Sequence, residues 1–413
     1  MEARILITGG GTGGHLYPAL NLADALRELE PEAELLYVGA RRGLEAEVVP
    51  ERDLRYRLLP VHPLRRSRPL RNWRLLAGAV PSLVGAARAL GELDPHAVVG
   101  TGGYASGPAL VAARIGGRPV VLQEQNARPG LVTRVMARFA AQIHLGFPEA
   151  RDRLRPGPDT EVHRHGNPVA SQDRPPAEPF DWPEGRVVLV AGGSQGARGL
   201  NERLLGDLRE VRAWPSDLSL VWIAGRDHAE EVASRVERLP WGDRIRVVPY
   251  VEELGRQLDA VTLAVSRAGA MFVSELAAAG VPAVLVPFPS AAGGHQGENA
   301  RALARAGAAV VREESGLSEG DLWRLASRIV ADRGRLEEMG RAARDRGAPN
   351  AARRIARDVL RLTPAGRAGS GGDGDQAASS GGDGTAPGGP DDPGAAGATV
   401  PGGRVGKGVE REG

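Results

Sequence analysis

Arg4-Ile5-Leu6-Ile7-Thr8-Gly9-Gly10-Gly11-Thr12-Gly13-Gly14-His15 and Val187-Val188-Leu189-Val190-Ala191-Gly192-Gly193-Ser194-Gln195-Gly196-Ala197-Arg198 are the two stretches that decide the fold. In each, a short apolar, β-branched run ends in glycines and a helix-period segment follows. A strand that turns through glycines into a helix exposes backbone N–H groups at the positive end of a helix dipole, which suits a phosphate or another anion. One such turn in each half predicts two Rossmann-like domains facing a cleft.

The alternation continues outward from both turns. Strand patterns at Arg4 to Thr8, Leu35 to Val38, Ala97 to Gly100, Val120 to Leu122 and Gln142 to Leu145 are separated by helix-period segments. The pattern restarts at Val187 and returns near Leu220 to Ile223, Arg246 to Val248, Val261 to Val265, Ala283 to Val286 and Ala308 to Val311. Such βα repetition predicts an α/β chain with parallel sheets. Helices are expected at Glu319 to Ala331 and Asn350 to Leu362. The Pro-rich stretch Pro168 to Pro183 divides the halves, giving expected domains at 1–165 and 185–363 joined by a linker at 166–184. From Pro364 the chain is Gly, Asp, Ala, Ser and Pro, so 364–413 reads as a disordered tail.

Composition narrows the function. The 413 residues include no cysteine, which removes disulfides, thiolate catalysis and Cys-ligated metal. The first residues lack a charged region followed by an apolar one, so the cytoplasm is the expected compartment. The longest apolar stretch, Leu75 to Leu90, is short and interrupted by Pro81 and Arg88, which argues against a membrane span. Lys407 is the sole lysine among 53 basic residues, and the excess of positive charge lies within 1–165.

Candidate chemistry clusters at the turns. Gly9, Gly11 and Gly14 fit G-x-G-x-x-G, the dinucleotide fingerprint, but Val38-Gly39-Ala40-Arg41-Arg42 offers no acidic partner for a ribose. NADPH binding stands as the alternative that spacing allows. His15, at the mouth of the first turn, is placed for general base work. In the second half, Ser266-Arg267-Ala268-Gly269-Ala270 leads into a helix from about Met271, and Glu275 sits one turn inside it. A carboxylate there can accept two hydrogen bonds from a ribose diol while the helix start faces a diphosphate. The loop from Pro287 to Asn299 adds the amide and imidazole groups of His295 and Gln296 at a further helix start, suited to sugar hydroxyls.

Seven motifs occur in the order seen in the bacterial MurG family, and from Met1 to Leu362 the chain resembles that family. They are the first glycine turn through His15, Gly102 to Pro108, Glu124-Gln125-Asn126, Gly166-Asn167-Pro168, Gly192 to Arg198, Ser266 to Ala270, and His295-Gln296. The resemblance implies a GT-B fold, two Rossmann-like parallel-sheet domains facing an interdomain cleft. It implies inverting transfer of N-acetylglucosamine from UDP-N-acetylglucosamine onto lipid I, making lipid II at the inner leaflet of the cell membrane. By position it assigns Glu275 to the ribose, Ser194 and the backbone at Met271 to the diphosphate or uridine, and Gln195 to substrate binding. Asn126, His295 and Gln296 fall to the donor sugar, while Thr12, Gly13, Gly14, His15 and Tyr104 line the acceptor side. His15 is the first candidate for the base and Glu124 the second. No metal or other cofactor is expected, since Asp373-Gly374-Asp375 in the tail is the only Asp-x-Asp. Gln123 stands where the family usually has His, Ala170 where it has Arg, and Phe272 where a small hydroxyl residue is common.

A membrane surface is read independently from 54–91, which holds eight Arg and no Asp or Glu. Arg65, Arg66, Arg68, Arg71 and Arg74 flank Trp73, Leu75, Leu76, Val80, Leu83 and Val84. A basic rim around apolar residues with a Trp suits anionic lipid, and the lack of interleaved aromatics argues against nucleic acid.

Overall fold

Parallel strands flanked by helices form two sheets, each built outward from the strand that carries a glycine turn. The computed structural model describes residues 2–62, 73–171, 174–193, 196–289 and 294–364, with side chains 73–77 excepted, and these fall within one compact unit, Met1–Ser370. Arg65, Arg66, Arg68 and Arg71, the side chains of Trp73, Arg74, Leu75 and Leu76, Ser194 and Gln195, and the tail after Pro364, for all of which the sequence raises expectations, lie outside the described residues.

The first sheet contains β1 (Arg4–Thr8), β2 (Glu34–Ala40), β3 (Arg55–Leu59), β4 (Ala97–Gly100), β5 (Val120–Glu124), β6 (Gln142–Leu145) and β7 (Glu161–His163). Its helices are α1 (Gly13–Leu29), α2 (Glu45–Val48), α3 (Trp73–Leu93), α4 (Gly107–Ile115) and α5 (Leu131–Met136). The second sheet contains β8 (Arg186–Ala191), β9 (Leu218–Ile223), β10 (Ile245–Val248), β11 (Leu263–Ser266), β12 (Ala283–Leu285) and β13 (Ala309–Val311). With it run α6 (Arg198–Arg209), α7 (Ala229–Val236), α8 (Ala270–Ala279), α9 (His295–Arg305), α10 (Asp321–Ala331), α11 (Arg333–Arg346) and α12 (Ala351–Leu360).

Strand orders are β3-β2-β1-β4-β5-β6-β7 and β10-β9-β8-β11-β12-β13, and every pairing is parallel. The order reverses between β1 and β4 in one sheet and between β8 and β11 in the other. Ligand crevices open at the carboxyl ends of strands where such a reversal occurs, and both glycine turns lie there.

Burial on both faces of each sheet follows the period of two. Leu6, Val38, Val98 and Leu122 pack under α3 and α4, while Ile5, Ile7, Val99 and Val121 pack under α1. In the second sheet Val188, Val190 and Trp222 face α6 and α10, and Leu189, Val221 and Leu285 face α8 and α9. The strand expected from Val261 begins at Leu263, because Leu258–Ala260 forms a 3-10 turn that runs up to it. The last helix returns to the first sheet. Ala352, Ile355, Ala356 and Val359 of α12 join the core formed by Ile5, Ile7 and α1. The segment 185–363 therefore ends with a helix whose apolar face is buried in the other half.

Candidate active site

The carboxyl end of β5 arranges the cleft, since successive side chains on a strand point to opposite faces. Gln123 and Gln125 go one way, Glu124 and Asn126 the other. Gln125 donates from Nε2 to the Thr101 carbonyl at 2.7 Å and also bonds the Gln123 side-chain oxygen. Those contacts turn its Oε1 toward His15, whose Nδ1 lies 2.9 Å from it and 3.0 Å from the Thr101 carbonyl. Both partners only accept, so the neutral ring carries its proton on Nδ1 and keeps a lone pair on Nε2. His15 is half-buried, and its ring lies over the Gly102-Gly103 turn. Gly103 takes φ of 75°, and a side chain there would strike the Gly10 carbonyl.

Glu124 has another task. Only 1 % exposed, it accepts from the Asn126 and Gly130 backbone amides, at 3.0 Å each, and from Asn126 Nδ2 at 3.3 Å. Both oxygens are engaged, so the carboxylate holds the 126–130 loop. The loop in turn reaches the second half: Asn299 Oδ1 accepts from the Ala127 amide at 2.9 Å, and its Nδ2 donates to Asn126 Oδ1 and to the Ala268 carbonyl, each at 3.2 Å. His295 donates from Nδ1 to the Arg128 carbonyl at 2.7 Å. Burial lowers the pKa of His295, the nearby Glu124 opposes this, and His15 is close enough to act on it electrostatically.

The first glycine turn already holds an anion. Glu45, the first residue of α2 and fully buried, accepts the Gly11 amide at 2.6 Å and fills the space beside Gly10. A dinucleotide pyrophosphate would need that amide and that space, so the NADPH alternative fails here. Tyr104 packs its ring against Gly11; burial raises its phenol pKa, and the Glu45 charge adds to the rise. Thr12, Gly13 and Gly14 lie at the start of α1, where Thr12 makes no side-chain cap bond.

The second half contributes an open helix start. Gly269 precedes α8 with no side-chain cap, leaving the amides near Met271 at the positive end of the helix. Glu275 lies further along α8 against Gly255 and has no hydrogen-bond partner among the described residues. Burial pushes its carboxyl pKa up to about 7. Gln296 has its Oε1 engaged by the Phe288 amide at 2.8 Å. Asn167 spans the halves, donating to the Gln125 carbonyl at 2.9 Å and to Ser274 Oγ of α8 at 2.8 Å while accepting from Gln123 Nε2 at 3.1 Å. Gln123 thus serves this bridge.

The structure brings His15, Tyr104, Glu124, Asn126 and His295 together around one end of β5. Glu45, Thr101, Gln125, Asn167 and Asn299 carry interactions that the sequence reading assigned to none of them. Strand alternation at 123–126 was the available signal for Gln125.

Residues 5–145 match the glycosyltransferase family 28 N-terminal domain, and residues 187–355 match the family's C-terminal domain. The chain is 42% identical over 365 residues to the UDP-N-acetylglucosamine–N-acetylmuramyl-(pentapeptide) pyrophosphoryl-undecaprenol N-acetylglucosamine transferase of Salinibacter ruber, covering 87% of this chain and 96% of the relative. It is 40% identical over 380 residues to the same-named protein of Moorella thermoacetica, covering 88% and 100%. The crystal structure of Acinetobacter baumannii MurG superposes with a TM-score of 0.68 at 28% identity, covering 87% of this chain and 100% of that one.

Glu275 generates a prediction about stability. Its folded pKa of about 7 lies above the ordinary 4.5, so the folded state holds this proton more tightly. The contribution is fully present below pH 4.5 and lost as pH rises through 7. Glu275→Gln is expected to stabilise the protein by about 1–3 kcal/mol at pH 8 and to change little at pH 5. Denaturant unfolding at the two pH values checks this, and equal effects at both would refute it.

Proposed function

Because the chain belongs to glycosyltransferase family 28, we propose that it transfers N-acetylglucosamine from UDP-N-acetylglucosamine to the C4 hydroxyl of the N-acetylmuramoyl unit of lipid I, forming lipid II for the bacterial cell wall. The observation that carries the reading is the His15 tautomer. With its proton fixed on Nδ1 by Thr101 and Gln125, the ring presents Nε2 as an acceptor at the mouth of the cleft. In a single displacement, Nε2 takes the proton of the acceptor hydroxyl as its oxygen bonds to the anomeric carbon. The bond from that carbon to the diphosphate breaks, and configuration inverts. The two carbonyl oxygens at Nδ1 then stabilise the imidazolium that has formed.

The departing UDP gains negative charge, and the uncapped start of α8 suits it. We assign Glu275, which has no hydrogen-bond partner among the described residues, to the ribose hydroxyls, the amides near Met271 to the diphosphate, and Ser194 and Gln195 to the donor. Asn126, His295 and Gln296 face the donor sugar. Asn126 and His295 are already linked to each other's loops through Asn299 and Arg128. The acceptor falls to the half spanning 1–165, against Thr12, Gly13, Gly14 and Tyr104, and the donor to 185–363, with 166–184 connecting them.

Among the described residues no helix is long and apolar enough to cross a membrane. We place the enzyme peripherally on the cytoplasmic face. The reading is supported by exposed apolar residues at helical spacing: Val80 and Val84 on α3, Val111 and Ile115 on α4, and Leu131, Val135 and Phe139 on and just beyond α5. Arg114 and Arg138 lie 5.3 and 5.5 Å from the Phe139 ring. An apolar surface interleaved with arginine fits anionic lipid better than nucleic acid.

Incubation with radiolabelled UDP-N-acetylglucosamine and a lipid I analogue tests the transfer. Label is expected in the lipid product, and His15→Ala is expected to slow turnover by roughly 10²- to 10⁴-fold. Label that never leaves the nucleotide would overturn the reaction, and a His15→Ala rate within a few-fold of native would overturn the base. UDP affinity, followed by calorimetry, is expected to fall as pH drops below about 7, where Glu275 takes up its proton; Glu275→Gln should bind UDP weakly at every pH. A pH-independent native affinity would remove Glu275 from the ribose. Ile115→Asp combined with Phe139→Asp is expected to reduce binding to phosphatidylglycerol vesicles at least tenfold and spare activity on a water-soluble acceptor. Unchanged vesicle binding would move the membrane surface elsewhere.

A further inference from the structure

The parallel register of β6 and β7 sets His144 opposite His163, and His165 follows two residues later on the same face. Their rings stack with centroids 5.0 Å apart for His144 and His163, 5.2 Å for His163 and His165, and 5.5 Å for His144 and His165. Onto this stack α12 delivers Asp358, 6 % exposed, with Oδ2 2.6 Å from His165 Nε2. One ligand atom from each of His144, His165 and Asp358 lies within 4.8 Å of the other two. None of these residues takes part in the transfer chemistry.

We propose that His144, His165 and Asp358 bind a divalent ion of the zinc class, which fastens the last helix to the edge of the first sheet. The ring of His144 argues for it. Its Nε2 faces Gln142 Oε1 at 3.4 Å, and the Gln142 amide is oriented by donating to the Asp358 carbonyl at 3.2 Å. The amide oxygen only accepts, so His144 carries its proton on Nε2 and a lone pair on Nδ1. That Nδ1 is buried with no hydrogen-bond partner. A fully buried acceptor left unpaired is costly, and a metal ion would satisfy it. Gln142 then plays the part that outer partners of metal-binding imidazoles usually play, fixing the ring that presents the other nitrogen.

Two imidazoles and one carboxylate suit Zn²⁺ or Co²⁺ better than Mg²⁺ or Ca²⁺, which take oxygen ligands. Around a tetrahedral Zn²⁺ with bonds near 2.0–2.1 Å the ligand atoms stand about 3.3 Å apart, so on binding His165 Nε2 and Asp358 Oδ2, now 2.6 Å apart, would exchange their hydrogen bond for bonds to the ion and separate slightly, while the wider spacings, none above 4.8 Å, would close. Arg361 engages the other Asp358 oxygen, Oδ1, at 3.0 Å, which leaves Oδ2 for the ion. His163, with Nδ1 3.8 Å from Asp358 Oδ2, or a water, is available for the fourth position.

The test uses the full chain stripped of metal by a chelator and then titrated with Co²⁺ and Zn²⁺. One equivalent of Co²⁺ is expected to bind with the visible absorption of tetrahedral cobalt, and one equivalent of Zn²⁺ to displace it and raise the unfolding temperature. His165→Ala and Asp358→Asn should each weaken Zn²⁺ binding at least 100-fold, and His144→Ala should do the same. A native chain that binds no stoichiometric Co²⁺ or Zn²⁺ overturns the proposal without recourse to any variant. So does native-like Zn²⁺ affinity in folded His144→Ala, which would reduce the binding to exposed imidazoles.

Discussion

The buried carboxylate of Glu124 is the constraint on which the cleft depends. By accepting two backbone amides and one side-chain amide it converts 126–130 from a free loop into a fixed platform. On that platform rest the Arg128 carbonyl that orients His295 and the Ala127 amide that anchors Asn299. One position earlier on the other strand face, Gln123 holds Asn167; one position later, Gln125 sets the proton of His15. Three consecutive residues thereby control the His15 ring, the 126–130 loop and two ties between the halves.

These ties bear on how the halves work together. Asn167 and Asn299 are both nearly fully buried, and each uses its amide on groups from both halves. Buried amides gain little in net stability but lose much if one partner departs. They therefore specify a closed arrangement more strongly than they add to stability. The neighbouring Phe147, buried against the second core, supplies the nondirectional part of the same attachment.

The sheets were legible because central strands of a parallel sheet are continuous apolar runs, and Ile5 to Ile7 and Val187 to Val190 announce themselves. The two edge strands of the first sheet were not. Arg55-Tyr56-Arg57 and Glu161-Val162-His163 place charged or polar groups where only one neighbour pairs, so neither shows an apolar run. His15 and His295 stood out beside glycine turns and Asn126 through the family resemblance, and the three do meet. Glu45 did not stand out, since a Glu in a short helix reads as solvated and only the fold shows it beneath the glycines. The loop-holding bonds of Glu124 were not legible either; residue type reveals that a carboxylate is present, not how many amides it already serves. The imidazole stack and Asp358 come together from three separate segments and had no single local signature.

The return of α12 to the first sheet has a consequence for synthesis of the chain. The ribosome delivers β1 to β7 first, yet the surface that receives Ile355, Ala356 and Val359 stays uncovered until the last helix has been made. Since domains otherwise tend to fold in order as they emerge, the first half waits, with apolar surface exposed, through translation of the whole second half. Truncation a few residues before Ala351 should thus injure the first half more than the second, although the missing residues lie at the opposite end of the gene.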